Sequence, residues 1–369
     1  MQLEEVAPFP HRDGVETVES IARKPVAAGS EEPLTLVART AWIIYQKAAD
    51  VYRVLAGGAM SEELSQLWRG MAEGLKKHVI YWERMAEHIQ KDPNIEVLGN
   101  PYAAIRQLRD AEERIDRIQE SCTSFRSVLE YFYLAFSLEV QLIHPVLCSL
   151  PESVMTVPDK EWVKWDYQTN LKAFLAGMRK HCESNYLHDA MTDSLERMWS
   201  QNRQAAQQAS LDPVTGAYNR RSLSRIISSY SSLAERDGQN VAIILIGIEN
   251  MHELYTTFDL KTADEVVLRF YNGIKPGIRL SDVMGRYSFS TFLVYLSKVN
   301  QQYLYDIAAR FSEATQTIYK AGFVLSVHIG GSYGQVRNQA GLQLGTYLTR
   351  ARDCLMRSRL SRTQRIIIE

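Results

Sequence analysis

Six arginines, Arg350, Arg352, Arg357, Arg359, Arg362 and Arg365, crowd the end of this 369-residue chain. Guanidinium forks grip phosphate oxygens and carboxylates well, so the cluster could meet a phosphate or an acidic partner. The simpler reading is a solvated helix face whose positive charge lies near a helix C-terminus. Cys122, Cys148, Cys182 and Cys354 lie far apart with no CxxC pair, which suggests neither a zinc ribbon nor a disulfide framework. The paired glycines at Gly57 and Gly330 read as turn or strand-end glycines rather than phosphate loops. The aromatic cluster Tyr131, Phe132, Tyr133 and Phe136 reads as core.

The elements that must position such groups follow two grammars. Residues 1–33 mix prolines and charges without sustained periodicity and read as a disordered arm. From Leu34 the pattern is helical. Leu36, Ala38, Ala41, Ile44, Tyr45, Ala48, Tyr52 and Leu55 recur at three- and four-residue steps. Gly57-Gly58 ends that helix, and Ser61 with Glu62 and Glu63 opens the next. The second helix carries Leu64, Leu67, Trp68, Met71, Leu75, His78, Val79, Trp82 and Met85 on one side. PNIEVLGNP (Pro93 to Pro101) is a turn-rich crossover, after which Asn100 caps a helix with Pro101 at its first position. Tyr102 to Leu150 reads as one long segment that Pro145 kinks or ends, and Trp162 to Cys182 as another helix. Four principal helices with one long connection suggest an up-down bundle over residues 34–184. Residues 185–211 read as a connecting helix. It is either solitary and solvated, or pairs with a second copy through Leu187, Met191, Leu195 and Met198.

After Leu211 strands alternate with helices. VAIILIGI (Val241 to Ile248) is a buried strand by length and β-branching. Phe292 to Leu296 and Phe323 to His328 read as further strands. Helical patterns cover Arg221 to Arg236, Ala263 to Gly273, Gln301 to Tyr319 and Leu342 to Arg359. Residues 212–369 therefore read as an α/β or α+β sheet domain. Hydrophobic residues at 46% and charged ones at 23% suit a soluble globular protein. A net charge of −1 gives no broad electrostatic case for nucleic acid. The longest apolar stretch, Val241 to Ile248, falls far short of the roughly 20 residues that span a bilayer. The acidic N-terminus has no secretory apolar core. A cytoplasmic protein without a membrane span is expected.

Five stretches of the second half stand in order: DPVTGAYNRRSL (Asp212 to Leu223), VAIILIGIEN, RLSDVMGRY (Arg279 to Tyr287), LSVHIGGS (Leu325 to Ser332) and ARDCLM (Ala351 to Met356). In sequence and spacing they resemble the GGDEF family, the domain of bacterial diguanylate cyclases. The signature itself is replaced by Ser288, Phe289, Ser290, Thr291 and Phe292. The resemblance implies that Gly247 stands at the first metal aspartate, Ser290 at the metal-binding acid of the signature and Thr291 at its acidic neighbour. Glu249 survives at the second acidic strand position. Cyclising two GTP molecules needs hard cations held by carboxylate oxygens, and one carboxylate makes a poor magnesium cage. Ser288 and Phe289 replace glycines that let backbone approach nucleotide, and a phenyl ring there obstructs the site. The resemblance also implies that Tyr255 replaces a guanine-edge Asn and His252 a phosphate-contacting Lys, while Asp264 keeps the acidic guanine contact. Catalysis is expected to be lost.

The same resemblance implies a second site. Arg279 and Asp282 match the family's RxxD motif for cyclic di-GMP, five residues upstream of Ser288, and Arg310 falls where an assisting helical arginine is expected. Guanidinium suits phosphate and the Hoogsteen edge of guanine, and a carboxylate accepts from guanine N–H groups. The alternative is a local Arg279–Asp282 ion pair that stabilises a turn.

The first half resembles a ferritin-like, rubrerythrin-type four-helix bundle through IYQKAADVYRVLA (Ile44 to Ala56), MAEGLKKHVIYWERM (Met71 to Met85) and AFSLEVQLI (Ala135 to Ile143). That resemblance implies a di-iron site of six ligands. This chain offers His78, Glu139 and His181, with Tyr45, Leu75 and Met178 at the other positions. A di-iron centre is therefore not expected. Ordinary hydrogen-bonded histidines are preferred over a mononuclear metal held by His78, Glu139 and His181. The whole reads as a homodimeric, non-catalytic signalling protein that meets other signalling proteins and has no cofactor, with cyclic di-GMP as ligand. A ligand-free interaction scaffold and a residually active cyclase are the alternatives.

Overall fold

The computed structural model describes residues 32–91, 99–123, 127–148, 167–182, 186–316, 319–320, 322–337, 340–361 and 363–369. The expected N-terminal arm therefore falls, up to residue 31, outside the described residues. So do most of the crossover after residue 91, the connection at 149–166 and the start of the helix expected from Trp162.

The N-terminal half is helical. Helix α1 (Pro33–Gly57) starts with proline at its first position and buries Ala38, Ala41, Ile44, Tyr45, Ala48, Tyr52 and Leu55, the face its periodicity predicts. Helix α2 (Glu62–Lys91) opens where Ser61 Oγ accepts from Leu64 N at 3.3 Å. Helix α3 (Pro101–Glu120) is capped by Asn100, whose side chain accepts from Tyr102 N and Ala103 N. Lys47 ties α3 to α1 through Glu112 at 2.8 Å and Asp116 at 2.6 Å.

The segment expected as one long helix from Tyr102 to Leu150 is divided. Helix α3 stops at Glu120, a 3-10 turn covers Ser121–Thr123, and α4 spans Val128–Leu142. The cause is hydroxyl chemistry. Ser121 Oγ bonds back to Arg117 O at 2.8 Å, and Ser127 accepts from Glu130 N to start α4. Helix α4 ends before Pro145, and residues 145–148 are helical again with the proline leading. Helix α5 (Tyr167–His181) completes a core that includes Tyr45, Tyr52, Trp68, Trp82, Phe132 and Phe174.

Helix α6 (Tyr186–Gln208) corrects both expectations for the connecting segment. Leu195 is fully buried in the bundle core, with Met191, Met198 and Trp199 packed against it. Asn202 Nδ2 donates to Ile143 O at 2.8 Å. Most of the apolar face expected to meet a second copy is thus covered by the same chain, while Leu187 is exposed.

The C-terminal half is a six-stranded mixed sheet in the order β1-β3-β4-β2-β7-β8. Its strands are β1 (Tyr218–Asn219), β2 (Asn240–Ile248), β3 (Val283–Arg286), β4 (Thr291–Ser297), β7 (Val327–Gln335) and β8 (Ile366–Ile368). A separate β5–β6 hairpin pairs Tyr319–Lys320 with Phe323–Val324. The central β2 is antiparallel to both β4 and β7, whereas the β1–β3 and β7–β8 pairs are parallel. Helices α7 (Arg220–Arg236) and α11 (Ala340–Leu360) serve the face carrying Val241, Ile243 and Leu245. Helices α8 (Met251–Thr257), α9 (Leu260–Ile274) and α10 (Leu304–Gln316) serve the face carrying Ala242, Ile244, Ile246 and Ile248.

The strand expected at Phe323 to His328 is split, and its main part runs on to Gln335. The Gly330-Gly331 pair that reads as a strand end lies mid-strand. A Cβ on Gly330 would lie 2.1 Å from Leu355 N, so glycine is required where α11 crosses the sheet. Among the described residues no helix is long and apolar enough to cross a membrane.

Candidate functional site

Strand β2 and the β3–β4 hairpin bring together the positions singled out from the signature. Gly247 pairs with Thr291, and Ile248 N donates to Ser290 O at 2.8 Å. Phe292 lies in the core against Phe270 and Tyr271. Ser288 N donates to Thr291 O at 3.0 Å and closes the hairpin.

The space beside Gly247 is taken by another group. A Cβ there would lie 2.9 Å from Arg359 Nη2, on helix α11. Arg359 Nε stands 2.9 Å from Glu249 Oε2. A guanidinium thus sits beside Gly247 and pairs with Glu249. Magnesium needs several oxygen donors and is repelled by a fixed cation. Gly247, Ser290 and the Glu249–Arg359 pair do not fit it. The expectation that the C-terminal arginines form a solvated face therefore fails for Arg359. Arg352 also has a partner, lying 5.6 Å from the Tyr287 ring centre.

The hairpin is held from beneath by a buried ion pair that sequence reading did not assign a role. Arg286 Nη1 stands 3.2 Å from Asp212 Oδ1, and both side chains are at most 5% exposed. Asp212 also accepts from Thr215 N at 2.8 Å and Thr215 Oγ1 at 2.7 Å, which folds the opening turn. Arg286 Nη2 donates to Phe289 O at 2.8 Å, which fixes the hairpin tip.

His252 and Tyr255 project from α8, and Asp264 from the first turns of α9. Tyr255 donates to Asp264 Oδ1 at 2.5 Å. Burial first, and then this carboxylate, pushes the Tyr255 phenol far above its ordinary pKa, so it remains a donor. The Phe289 ring lies 5.2 Å from that of Tyr255. A residue of the helical half completes the cluster. Tyr102, on α3, lies parallel to Tyr255 at 5.1 Å with 7° between planes, and its hydroxyl meets His252 Nδ1. Asn100 Nδ2 donates to Asp264 Oδ1 at 3.0 Å. Nothing in the local sequence around Asn100 signals this long-range contact beyond its helix cap.

Arg279 and Asp282 sit on the turn that leads into β3. Asp282 Oδ2 accepts from Arg279 N at 3.1 Å, and Asp282 Oδ1 from Ser297 N at 3.3 Å. The carboxylate therefore binds backbone rather than the Arg279 guanidinium. That corrects the ion-pair alternative. The side chains of Arg279 and Arg310 are exposed, and neither makes an ion pair or side-chain hydrogen bond among the described residues. The neighbour of Arg310, Phe311, packs where a Cβ on Gly277 would lie at 3.1 Å, which seats α10 against the same turn.

The candidate metal ligands of the bundle do not converge. Glu139 is fully buried and accepts from the hydroxyls of Tyr52 and Tyr167. His78 stacks on Tyr45 at 5.0 Å, and His181 stacks on Phe132 at 6.2 Å. Among the described residues no group of three or more His, Cys, Asp or Glu is placed to hold a metal. Burial raises the Glu139 pKa to about 7, against the two phenol hydrogen bonds, and lowers that of His78 to about 3.

Comparison with known proteins follows the sheet half. Residues 209–365 match the family model described as "Diguanylate cyclase, GGDEF domain". Diguanylate cyclase DosC of Escherichia coli is 26% identical over 127 residues, 33% of this chain and 28% of that protein. Diguanylate cyclase DgcP of Pseudomonas aeruginosa is 22% identical over 210 residues, 51% of this chain and 31% of that protein. The chain thus spans less than a third of the length of these relatives. Among solved structures, the GGDEF domain of DgcB from Caulobacter crescentus in complex with c-di-GMP matches at 16% identity and a TM-score of 0.40, covering 44% of this chain and 96% of that one. The FimX GGDEF domain from Pseudomonas aeruginosa matches at 15% identity and a TM-score of 0.38, covering 44% of this chain and 99% of that one.

Proposed function

Residues 209–365 are a GGDEF domain, and from that premise we propose that this chain binds cyclic di-GMP without synthesising it. The observation that carries the reading is the disposition of the RxxD turn. Asp282 is committed to backbone, Arg279 is exposed on that turn, and Arg310 is exposed on α10, which packs against it through Phe311. Exposed guanidinium groups suit a doubly anionic cyclic dinucleotide, whose phosphates accept bidentate hydrogen bonds.

Absence of synthesis is argued from charge. Joining two triphosphates requires cations to neutralise developing charge on phosphate oxygens. The position that would present an anion to such a cation is Gly247, and Arg359 brings a positive charge there instead. In this reading the helical half presents or receives a signal and the GGDEF domain reads the nucleotide.

Isothermal titration with cyclic di-GMP tests the binding. Heat is expected from the wild type, with Arg279→Ala weakening affinity by roughly 10- to 100-fold, the range for losing a charged hydrogen-bonding partner. No heat from the wild type would refute the receptor reading. Incubation with GTP and magnesium should give no cyclic dinucleotide, and steady turnover would refute the non-catalytic reading.

A further inference from the structure

We infer that the N-terminus of helix α3 is an intramolecular latch, in which Tyr102 and Asn100 fill the pocket that the GGDEF resemblance assigns to a guanine base. The inference does not depend on the Arg279 site. Helix α3 belongs to the helical half, where Lys47 pairs with Glu112 and Asp116. Its first turn nevertheless reaches the other half of the chain and touches every position in question. The Tyr102 ring lies parallel to Tyr255 at 5.1 Å, and 5.8 Å from Phe289 with 42° between planes. Its hydroxyl meets His252.

The flat face of a phenol thus stacks as a purine would, and Asn100 supplies the donor edge, giving an N–H to Asp264 Oδ1 at 3.0 Å. The Asn100 side chain bonds across two elements. Its oxygen accepts from Tyr102 N at 3.0 Å and Ala103 N at 3.4 Å, while its amino group reaches Asp264. Gly99, at φ 96°, turns the chain into the cap in a left-handed conformation that favours glycine. Pro101 is buried at the contact, and Arg106, one turn further along α3, lines a groove with Lys261, Asp264 and Glu265 of α9. While this contact holds, the base pocket is closed to a free guanine nucleotide and the helical half is fixed on the domain.

The substitution Asn100→Asp separates latching from helix capping. Aspartate caps a helix N-terminus as well as asparagine does and suits its positive end. It loses the N–H donor and sets a second carboxylate against Asp264. In the full-length chain, amide exchange read by mass spectrometry over residues 99–106 and 251–257 is expected to quicken about tenfold in Asn100→Asp and in Tyr102→Ala. Adding Asp264→Asn to Asn100→Asp, which puts a donor back between the two positions, should return exchange to within about threefold of wild type. Unchanged exchange over 251–257 in both single variants, with circular dichroism intact, would overturn the latch. Failure of Asp264→Asn to restore protection would overturn it too. Titration of the same proteins with cyclic di-GMP reads the Arg279 site separately, so failure of either idea is recognisable alone.

Discussion

Glu139 reaches the centre of the helical half with none of its surface exposed, and accepts from the hydroxyls of Tyr52 and Tyr167. Burial lifts its pKa from 4.5 to about 7. The folded chain therefore keeps a proton that the unfolded chain has already released. The stability this group contributes is complete below about pH 4.5 and is lost as pH rises through about 7. His78 runs the other way. Burial holds it neutral down to about pH 3, so stability is lost as pH falls from 6.5 towards that value. Glu139→Gln isolates the first effect. Between pH 5 and pH 8 the stability of that variant should gain on wild type by ~3 kcal/mol, from about 1.4 kcal/mol per pKa unit. Urea unfolding followed by tryptophan fluorescence measures it cleanly, because all six tryptophans precede residue 212. A gap independent of pH would refute the assignment. The sequence picks out Glu139 and His78 through helical spacing and the bundle resemblance. It could not show that Tyr52 and Tyr167, from two other helices, are what the carboxylate meets. Nor could it show that His181 turns to Phe132.

At the scale of elements, the β3–β4 hairpin depends on one buried pair. Arg286 joins Asp212 in the opening turn to Phe289 at the tip, so a charge lost at Asp212 strands a guanidinium away from water. Asp212→Asn is expected to cost about 3–5 kcal/mol, the usual penalty for leaving one member of a buried pair uncompensated. The loss should show in the circular-dichroism melt and leave the tryptophan transition of the helical half in place. A melt unchanged by the substitution would refute the role. Helices with clear apolar stripes, α1 and α7 above all, are legible from periodicity alone, as is β2 from its run of branched residues. Other elements are hidden for physical reasons. Strand β7 carries glycines because a helix presses on it. Strands β1, β3 and β8, at two to four residues, are too short to show alternation. Division of the third helical segment follows from hydroxyl-to-backbone bonds, which no hydrophobic pattern reports.

For the whole molecule, the two halves meet along the chain through α6 and across space at the first turn of α3. The latch contacts the tip of the β3–β4 hairpin, while Arg279 precedes the opposite end of β3. Four residues of strand separate those ends, about 13 Å at the usual rise. Sites that far apart with no shared partner act additively. Cyclic di-GMP affinity should therefore be the same for Asn100→Asp as for wild type, within about twofold, by calorimetry. A larger change would mean that the hairpin transmits strain between its ends.

On the proposed non-catalytic reading, the guanidinium beside Gly247 would act as a ratchet. An aspartate at 247 alone would add a second carboxylate beside Arg359, which Glu249 already pairs, and an acid at position 290 alone would leave that cation in the way. Repair would require coordinated changes on a strand, a hairpin and the last long helix.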